Sequence, residues 1–300
     1  VDPIVSVEHV RKQYGSFVAV DDASFKIERG QCFGLLGPNG AGKSTLIRML
    51  YGATSRTGGQ MIVMGMDPQK HGRALRKRIG VVTQEDALDE QMSVAENMRL
   101  FSTFIGLTPA IAGNRIAALL DFLNLSHKAN AKIIALSGGM KRRLVFVRAL
   151  MTEPELLILD EPTTGLDPAV RQLLWDKIRQ LKRQGTTILL TTHYMDEAEV
   201  LCDRLVVMDR GQVCVEGSPR TLIREHTPGF VALWSTPNQS GDGSATDEPH
   251  TASHFRMEAP TLAELAVKVE SQGTTPEIIR PSNLEDVFLK VTGRELGSDA

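Results

Sequence analysis

One stretch, CFGLLGPNGAGKSTLIRML from Cys32 to Leu50, constrains the fold more than any other. It opens on a short apolar run without polar alternation, the pattern of a strand buried on both faces of a parallel sheet. It closes on a helical run that starts near Lys43. Between them, Gly37 to Ser44 fits G-x-x-x-x-G-K-[ST] in the context that pattern requires, after a strand and before a helix. The glycines let backbone N–H groups converge on phosphate oxygens. Lys43 adds a point charge, and the Ser44 hydroxyl is placed to ligate Mg²⁺. A plain glycine-rich turn between strand and helix is the competing reading.

Four more unalternating strands follow the same logic: RIGVVTQ, ELLILDEP, TTILLTTH and DRLVVMDRG. Each ends in polar residues, and the carboxyl ends of such strands are where α/β sheets bind ligands. ELLILDEP delivers Asp160 and Glu161 there. Strand alternation sends the two side chains in different directions, so Asp160 suits the Mg²⁺ shell and Glu161 a water attacking the γ-phosphate. The alternative is a pair of solvated carboxylates before Pro162. His193, after TILLTT, is placed to hydrogen-bond a γ-phosphate oxygen, although a lone histidine is more often structural. Gln84 ends its strand where the helical pattern begins and is positioned to sense nucleotide; any polar strand end reads the same way. Tyr14 offers a purine a stacking face, or else packs partly into the core.

IIALSGGMKRRLVFVRAL, Ile133 to Leu150, sets Ser137, Gly138 and Gly139 before a basic helical run. That is a second anion site at a helix N-terminus, or simply an N-capped helix with glycines for tight packing.

Helical periodicity in SVAENMRLFSTFIG, GNRIAALLDFLNL and the run after Ser137 marks a helical insert over about 85–151. The segment Ser235 to Ser253 is rich in Ser, Thr, Gly, Pro and Asp and reads as a flexible loop. Around it lies a small module of strands FVALWS, HFRME and PEIIRP with helices TLAELAVKVES and SNLEDVFLKVTG, the last capped by Ser282 or Asn283 and followed by Gly293. The domains expected are therefore 1–220 and 221–300.

Lys+Arg 34 against Asp+Glu 36 leaves no basic excess for nucleic-acid binding, so no nucleic-acid partner is expected. Cys32, Cys202 and Cys214 lie in no CxxC spacing and read as core thiols of a reducing compartment. The first fifteen residues carry Asp2 and Glu8 and no apolar run, so they read as neither secretion signal nor anchor. No run of apolar residues has the ~18-residue length of a spanning helix.

In order, GPNGAGKST, Gln84, LSGGM, LLILDEP, GLD (Gly165 to Asp167) and His193 resemble the nucleotide-binding subunit of an ABC transporter, over residues 4 to about 220. That resemblance implies a RecA-like P-loop NTPase core with a helical subdomain and an antiparallel β subdomain, followed by a small α+β module. It implies ATP and Mg²⁺ as cofactors. Tyr14 would stack on adenine, while Gly37, Pro38, Asn39, Gly40, Ala41, Gly42, Lys43, Ser44 and Thr45 would cradle the phosphates. Gln84 becomes the Q-loop residue on metal and nucleotide, Asp160 and Glu161 the Walker B pair, Asp167 the D-loop and His193 the switch. Ser137 to Gly139 become a signature that caps ATP on a second copy of the chain, which answers what the second anion site is for. Met140 stands where the family has Gln.

CFGLLGPNGAGKST, LLTTHYMDEAEVLCDRL and SNLEDVFLKVTGRE narrow the match to the ATPase subunits of ABC-2 type exporters, of the nodulation lipo-oligosaccharide and daunorubicin-type drug exporter kinds. The implied partners are a second ATPase subunit and an integral membrane permease, with this chain peripheral on the cytoplasmic face of the inner membrane. Three rivals fit less well. A soluble ABC ATPase usually has two sites in one chain or a long coiled coil, the C-terminal NLEDVFLKVTGRE fits an importer subunit poorly, and a P-loop kinase or GTPase leaves LSGGM without a job.

Overall fold

In the computed structural model, which describes residues 2–235, 254–273 and 275–293, the unalternating strands lie side by side in one sheet. The elements run in chain order as β1 (Val5–Tyr14), β2 (Phe17–Ile27), β3 (Cys32–Leu36), α1 (Lys43–Leu50), β4 (Gly58–Val63), α2 (Pro68–Leu75), β5 (Ile79–Val82), α3 (Val94–Phe104), α4 (Pro109–Phe122), α5 (Gly138–Leu150), β6 (Leu156–Asp160), α6 (Pro168–Arg183), β7 (Thr187–Thr192), α7 (Met195–Leu201), β8 (Arg204–Asp209) and β9 (Gln212–Gly217). After these come α8 (Pro219–His226), β10 (Phe230–Ser235), β11 (His254–Ala259), α9 (Leu262–Gln272), β12 (Ile278–Pro281) and α10 (Leu284–Thr292). The described residues divide into two units, 2–219 and 220–293.

In the first unit the main sheet has the order β5-β6-β7-β3-β8-β9, parallel except for β9. β3 pairs with β7 and β8, and β6 with β5 and β7, so the strands carrying the glycine loop and Asp160 are separated only by β7. Every residue of β3 and β7 is buried, which explains why neither alternates. β8 and β9 form a hairpin through Arg210 and Gly211, both at positive φ, as a two-residue primed turn needs. A second, antiparallel sheet has the order β2-β1-β4. Val5, Val7, Val10, Phe25 and Ile27 from it pack with Phe33, Leu35, Leu46, Leu50 and Ile158 in one core. Burying each such side chain contributes about 1.5–3 kcal/mol.

The insert after β5 is helical. Ser93 caps α3 in a reciprocal box with Glu96. α4 starts at Pro109 rather than Gly113, because Thr108 and a proline at the first helical position set its start. α5 buries Leu144, Val145, Phe146, Val147, Ala149 and Leu150, so it is enclosed nearly all round.

Cys32 and Cys202 are buried, but Cys214 is exposed. The expectation of three core thiols is corrected there: β9 lies at the sheet edge, and its exposed positions alternate with half-buried ones, Cys214 being exposed.

The second unit is a three-stranded sheet, β11-β10-β12, with both pairings antiparallel. Ala232, Trp234, Ala259 and Leu265 form its core. Asn283 caps α10 in a box with Asp286, and Gly293 ends the helix at φ 68. Asp286, fully buried, accepts from Arg280 at 2.7 and 2.9 Å and pairs with Arg256 at 3.0 Å. Of the loop read at 235–253, Ser235 is the last residue of β10, and 236–253 lie outside the described residues.

Candidate active site

The glycine loop leaves the carboxyl end of β3 and enters α1 at Lys43. Gly42 stands at φ 98, where a Cβ would collide with the Ala19 carbonyl, and at Gly37 one would collide with that of Met208. Only glycine permits both the left-handed backbone and the close approach. The Lys43 side chain is 5% exposed, and its ammonium donates to the Gly37 carbonyl at 2.6 Å and to the Pro38 carbonyl at 2.9 Å. Burial lowers its pKa from the usual lysine value, while the Glu161 and Asp160 carboxylates oppose that shift.

β6 brings the two carboxylates to the same edge. Asp160 Oδ1 accepts from the Thr191 hydroxyl at 2.6 Å and lies 3.5 Å from Ser44 Oγ. Glu161 leaves the strand at φ 47, a left-handed conformation that costs a non-glycine residue about 1–3 kcal/mol. Its N–H donates to the Thr191 carbonyl at 3.1 Å. Its carboxylate lies 3.9 Å from Lys43 Nζ and 3.4 Å from His193 Nδ1, and it accepts from the Thr164 hydroxyl at 3.4 Å. His193 Nδ1 is buried and makes no well-directed hydrogen bond.

Lys43, Ser44, Asp160, Glu161 and His193 thus meet at one sheet edge. A cavity of about 310 Å³ opens there, lined by Asn39, Gly40, Ala41, Gly42, Lys43, Ser44, Thr45, Gln84 and Glu161, together with Phe17 and Ala19. Tyr14 is not among its lining residues. That ring is 47% exposed and carries the Lys12 ammonium 4.4 Å from its centroid. Phe17, 63% exposed, does line the cavity. Its signal was present in YGSFV, three residues on, but nothing local distinguishes the two aromatics.

Ser137 caps α5 by accepting from the Met140 N–H at 3.3 Å. Gly138 lines a second cavity, of about 480 Å³, with Gln84, Glu161 and Gly165. The two glycines differ. A Cβ on Gly139 would meet Val170 Cγ2 at 3.2 Å, whereas one on Gly138 meets nothing within 4 Å. Asp167 caps α6, accepting from the Val170 N–H at 3.0 Å.

A phosphate cradle on a parallel sheet edge, faced by two carboxylates and a histidine, defines the class: a P-loop nucleoside triphosphatase. Within it, residues 20–164 match the family model described as ABC transporter. The chain is 45% identical, over 98% of its length and 92% of the relative's, to Nod factor export ATP-binding protein I of Cupriavidus pinatubonensis (strain JMP 134). Among solved structures it is similar to cbiO1 from Clostridium perfringens, part of the ABC transporter complex cbiONQ, at 30% identity and a TM-score of 0.69, over 75% of this chain and 92% of that one. It is also similar to a dimeric ATP-binding cassette in a post-hydrolysis state bound to ADP and Pi, at 25% identity and a TM-score of 0.64, over 71% and 98%. The chain belongs to the ABC transporter ATP-binding family, and it binds and hydrolyses ATP.

Proposed function

We propose that this chain is the ATP-hydrolysing subunit of an ABC-2 type exporter, powering export of a lipo-oligosaccharide, lipid or drug through a separate membrane permease. The observation that carries the reading is the constellation of Lys43, Ser44, Asp160, Glu161 and His193 in a chain collinear, over nearly its whole length, with a Nod factor export ATP-binding protein.

In this reading residues 1–220 are the ATP-binding domain and 221–300 an accessory module. Ser44, Asp160 and Gln84 hold Mg²⁺, and the fit rests on a hydroxyl and a carboxylate 3.5 Å apart, hard oxygen donors of the kind that ion takes. When bound, the ion neutralises charge on the β- and γ-phosphates. The loop amides of Gly37 to Thr45 hold the phosphates, and Lys43 turns its ammonium to them from the carbonyls it now holds. The exposed aromatics Tyr14 and Phe17 offer the base a stacking face. Glu161 polarises the attacking water, and His193 and Gln84 orient it against the γ-phosphate. The Glu161 carboxylate does so from a buried position, which strengthens its electrostatic contacts, and the His193 ring from a part-exposed one.

Two copies of the chain close head to tail, so that Ser137, Gly138 and Gly139 of each complete the ATP site of the other. The dimeric post-hydrolysis cassette supports that arrangement. Among the described residues no helix is long and apolar enough to cross a membrane. The likeness to an export ATP-binding protein supports a peripheral subunit beside its permease, on the cytoplasmic face of the inner membrane. The permease docks on the helical insert near Glu85 to Asn97, beside Gln84.

Glu161→Gln tests the reading. ATP binding should persist, a nucleotide-bound dimer should accumulate in sedimentation, and steady-state hydrolysis should fall by about 10²-fold or more, the range for loss of a general base. Normal turnover in this variant removes Glu161 from its role.

A further inference from the structure

Arg142, five residues past Ser137, is 6% exposed and, among the described residues, has no carboxylate within hydrogen-bond reach of its guanidinium. Its partners are five backbone carbonyls. Nε donates to Pro162 O at 2.8 Å, and Nη2 to Asp160 O at 3.0 Å and Glu161 O at 2.8 Å. Nη1 donates to Thr83 O and, at 3.4 Å, to Gln84 O. A guanidinium carries five N–H groups in a planar fork, and here every one has an acceptor. Burial lowers its pKa, and Asp86 leads the carboxylates that oppose this; the charge is retained because the carbonyl dipoles replace water.

The two sets of carbonyls belong to the two segments that the proposed chemistry needs in register. Glu161 sits in a strained conformation that persists only if both sides of it are held. Thr191 holds its N–H from β7, and Arg142 holds its carbonyl from α5. Two neighbours on α5 grip the loop after Gln84: Lys141 pairs with Glu90 at 2.8 Å, and Arg148 donates to Ala87 O at 2.7 Å. Any displacement of α5 is therefore transmitted to this loop and to the Glu161 peptide together.

We infer that Arg142 is a positioning residue: within one chain it locks the Glu161 peptide and the Gln84 loop to the helix that begins at Ser137. This rests on the roles proposed above for Glu161 and Gln84. It makes the orientation of the water-polarising carboxylate depend on where α5 sits, so whatever moves that helix sets the hydrolysis rate.

The test compares full-length wild type, Arg142→Gln, Arg142→Lys and Glu161→Gln for ATP affinity with a fluorescent analogue and for steady-state kcat and KM. Arg142→Gln should lose about 10²-fold in kcat, the cost of a catalytic group misplaced by about an ångström, with KM within threefold. Arg142→Lys keeps a charge but reaches fewer carbonyls, and should recover about a third to two thirds of that loss on a logarithmic scale, leaving kcat below wild type. If Arg142→Gln keeps kcat within threefold while Glu161→Gln is inactive, the positioning role is wrong and the site reading stands. If Glu161→Gln turns over normally, the site reading itself has failed. Loss of ATP affinity in step with kcat makes Arg142 merely structural and overturns the inference. Should Arg142→Gln not fold, Arg142→Lys decides: a lowered kcat with unchanged affinity supports the role, and an unchanged kcat refutes it.

Discussion

Glu197 looks like one more surface acid in MDEAEV, yet its side chain is completely buried. Its Oε1 accepts from the Thr163 hydroxyl at 2.8 Å and from Trp175 Nε1 at 3.0 Å, tying α7 to the segment after Glu161 and to α6. Burial raises its pKa from 4.5, opposed by hydrogen bonds from Thr192, Thr163 and Trp175 and assisted by Asp196. With the folded value raised, the stability this proton confers is full below the ordinary pKa and is lost as pH rises through the folded one. Glu197→Gln has no proton to lose there, so the variant should gain on wild type as pH climbs. Thermal melts at about pH 5 and about pH 8 measure this, and a difference in Tm that ignores pH would contradict it. Arg142 teaches the same lesson at this scale. In MKRR the sequence offers three adjacent cations, and burial alone singles out the middle one for the carbonyls of two other segments.

At the scale of the element, capping chemistry was legible and pairing partners were not. Asn283 and Gly293 bound α10 as SNLEDVFLKVTG predicts, because caps are local hydrogen bonds written within a few residues. α2 has a less local device. Asp67 accepts from the Gln69 N–H at 2.9 Å, capping the helix, and takes Arg56 bidentately at 2.8 and 2.8 Å. That guanidinium lowers the Asp67 pKa from 3.8 to about 2. A depressed carboxylate contributes stability that is present above its unfolded value and lost as pH falls through the folded one. Asp67→Asn keeps a capping oxygen but not the charge. The advantage of wild type over this variant in urea unfolding should therefore hold steady above about pH 4 and shrink between about pH 4 and pH 2. An advantage that persists unchanged at pH 2 would mean that the ion pair is not its source. The antiparallel sheet β2-β1-β4 was accessible only through the family resemblance, since its strands alternate irregularly around bulges.

For the whole molecule, the contrast between Gly138 and Gly139 gives the two-chain arrangement a direct test. Gly139 has its neighbour within the chain, in Val170, whereas the space beside Gly138 is open. Gly138→Val should leave the isolated subunit nearly as stable as wild type, within the ~0.5 kcal/mol usual for a surface change. ATP affinity of the subunit should also hold. On the Glu161→Gln background, however, the nucleotide-dependent dimer seen by sedimentation should disappear, because the added side chain fills the place of the partner's phosphates. A dimer that still forms would move the second half of the site elsewhere.

The sequence by itself determined the five parallel strands of the main sheet and the phosphate loop, and it put Asp160 and Glu161 at the end of one of those strands. Unbroken apolar runs, glycine spacing and caps act over a few residues and need no third dimension. It also contained Phe17, Arg142 and Glu197 without marking them. Only the tertiary structure decided that Phe17 rather than Tyr14 lines the cavity, that Arg142 joins Gln84 to Glu161, and that Glu197 is the acid held inside. Each of these depends on segments far apart in the chain, Thr83 and Arg142 being 59 residues apart, and periodicity within one segment carries no information about them.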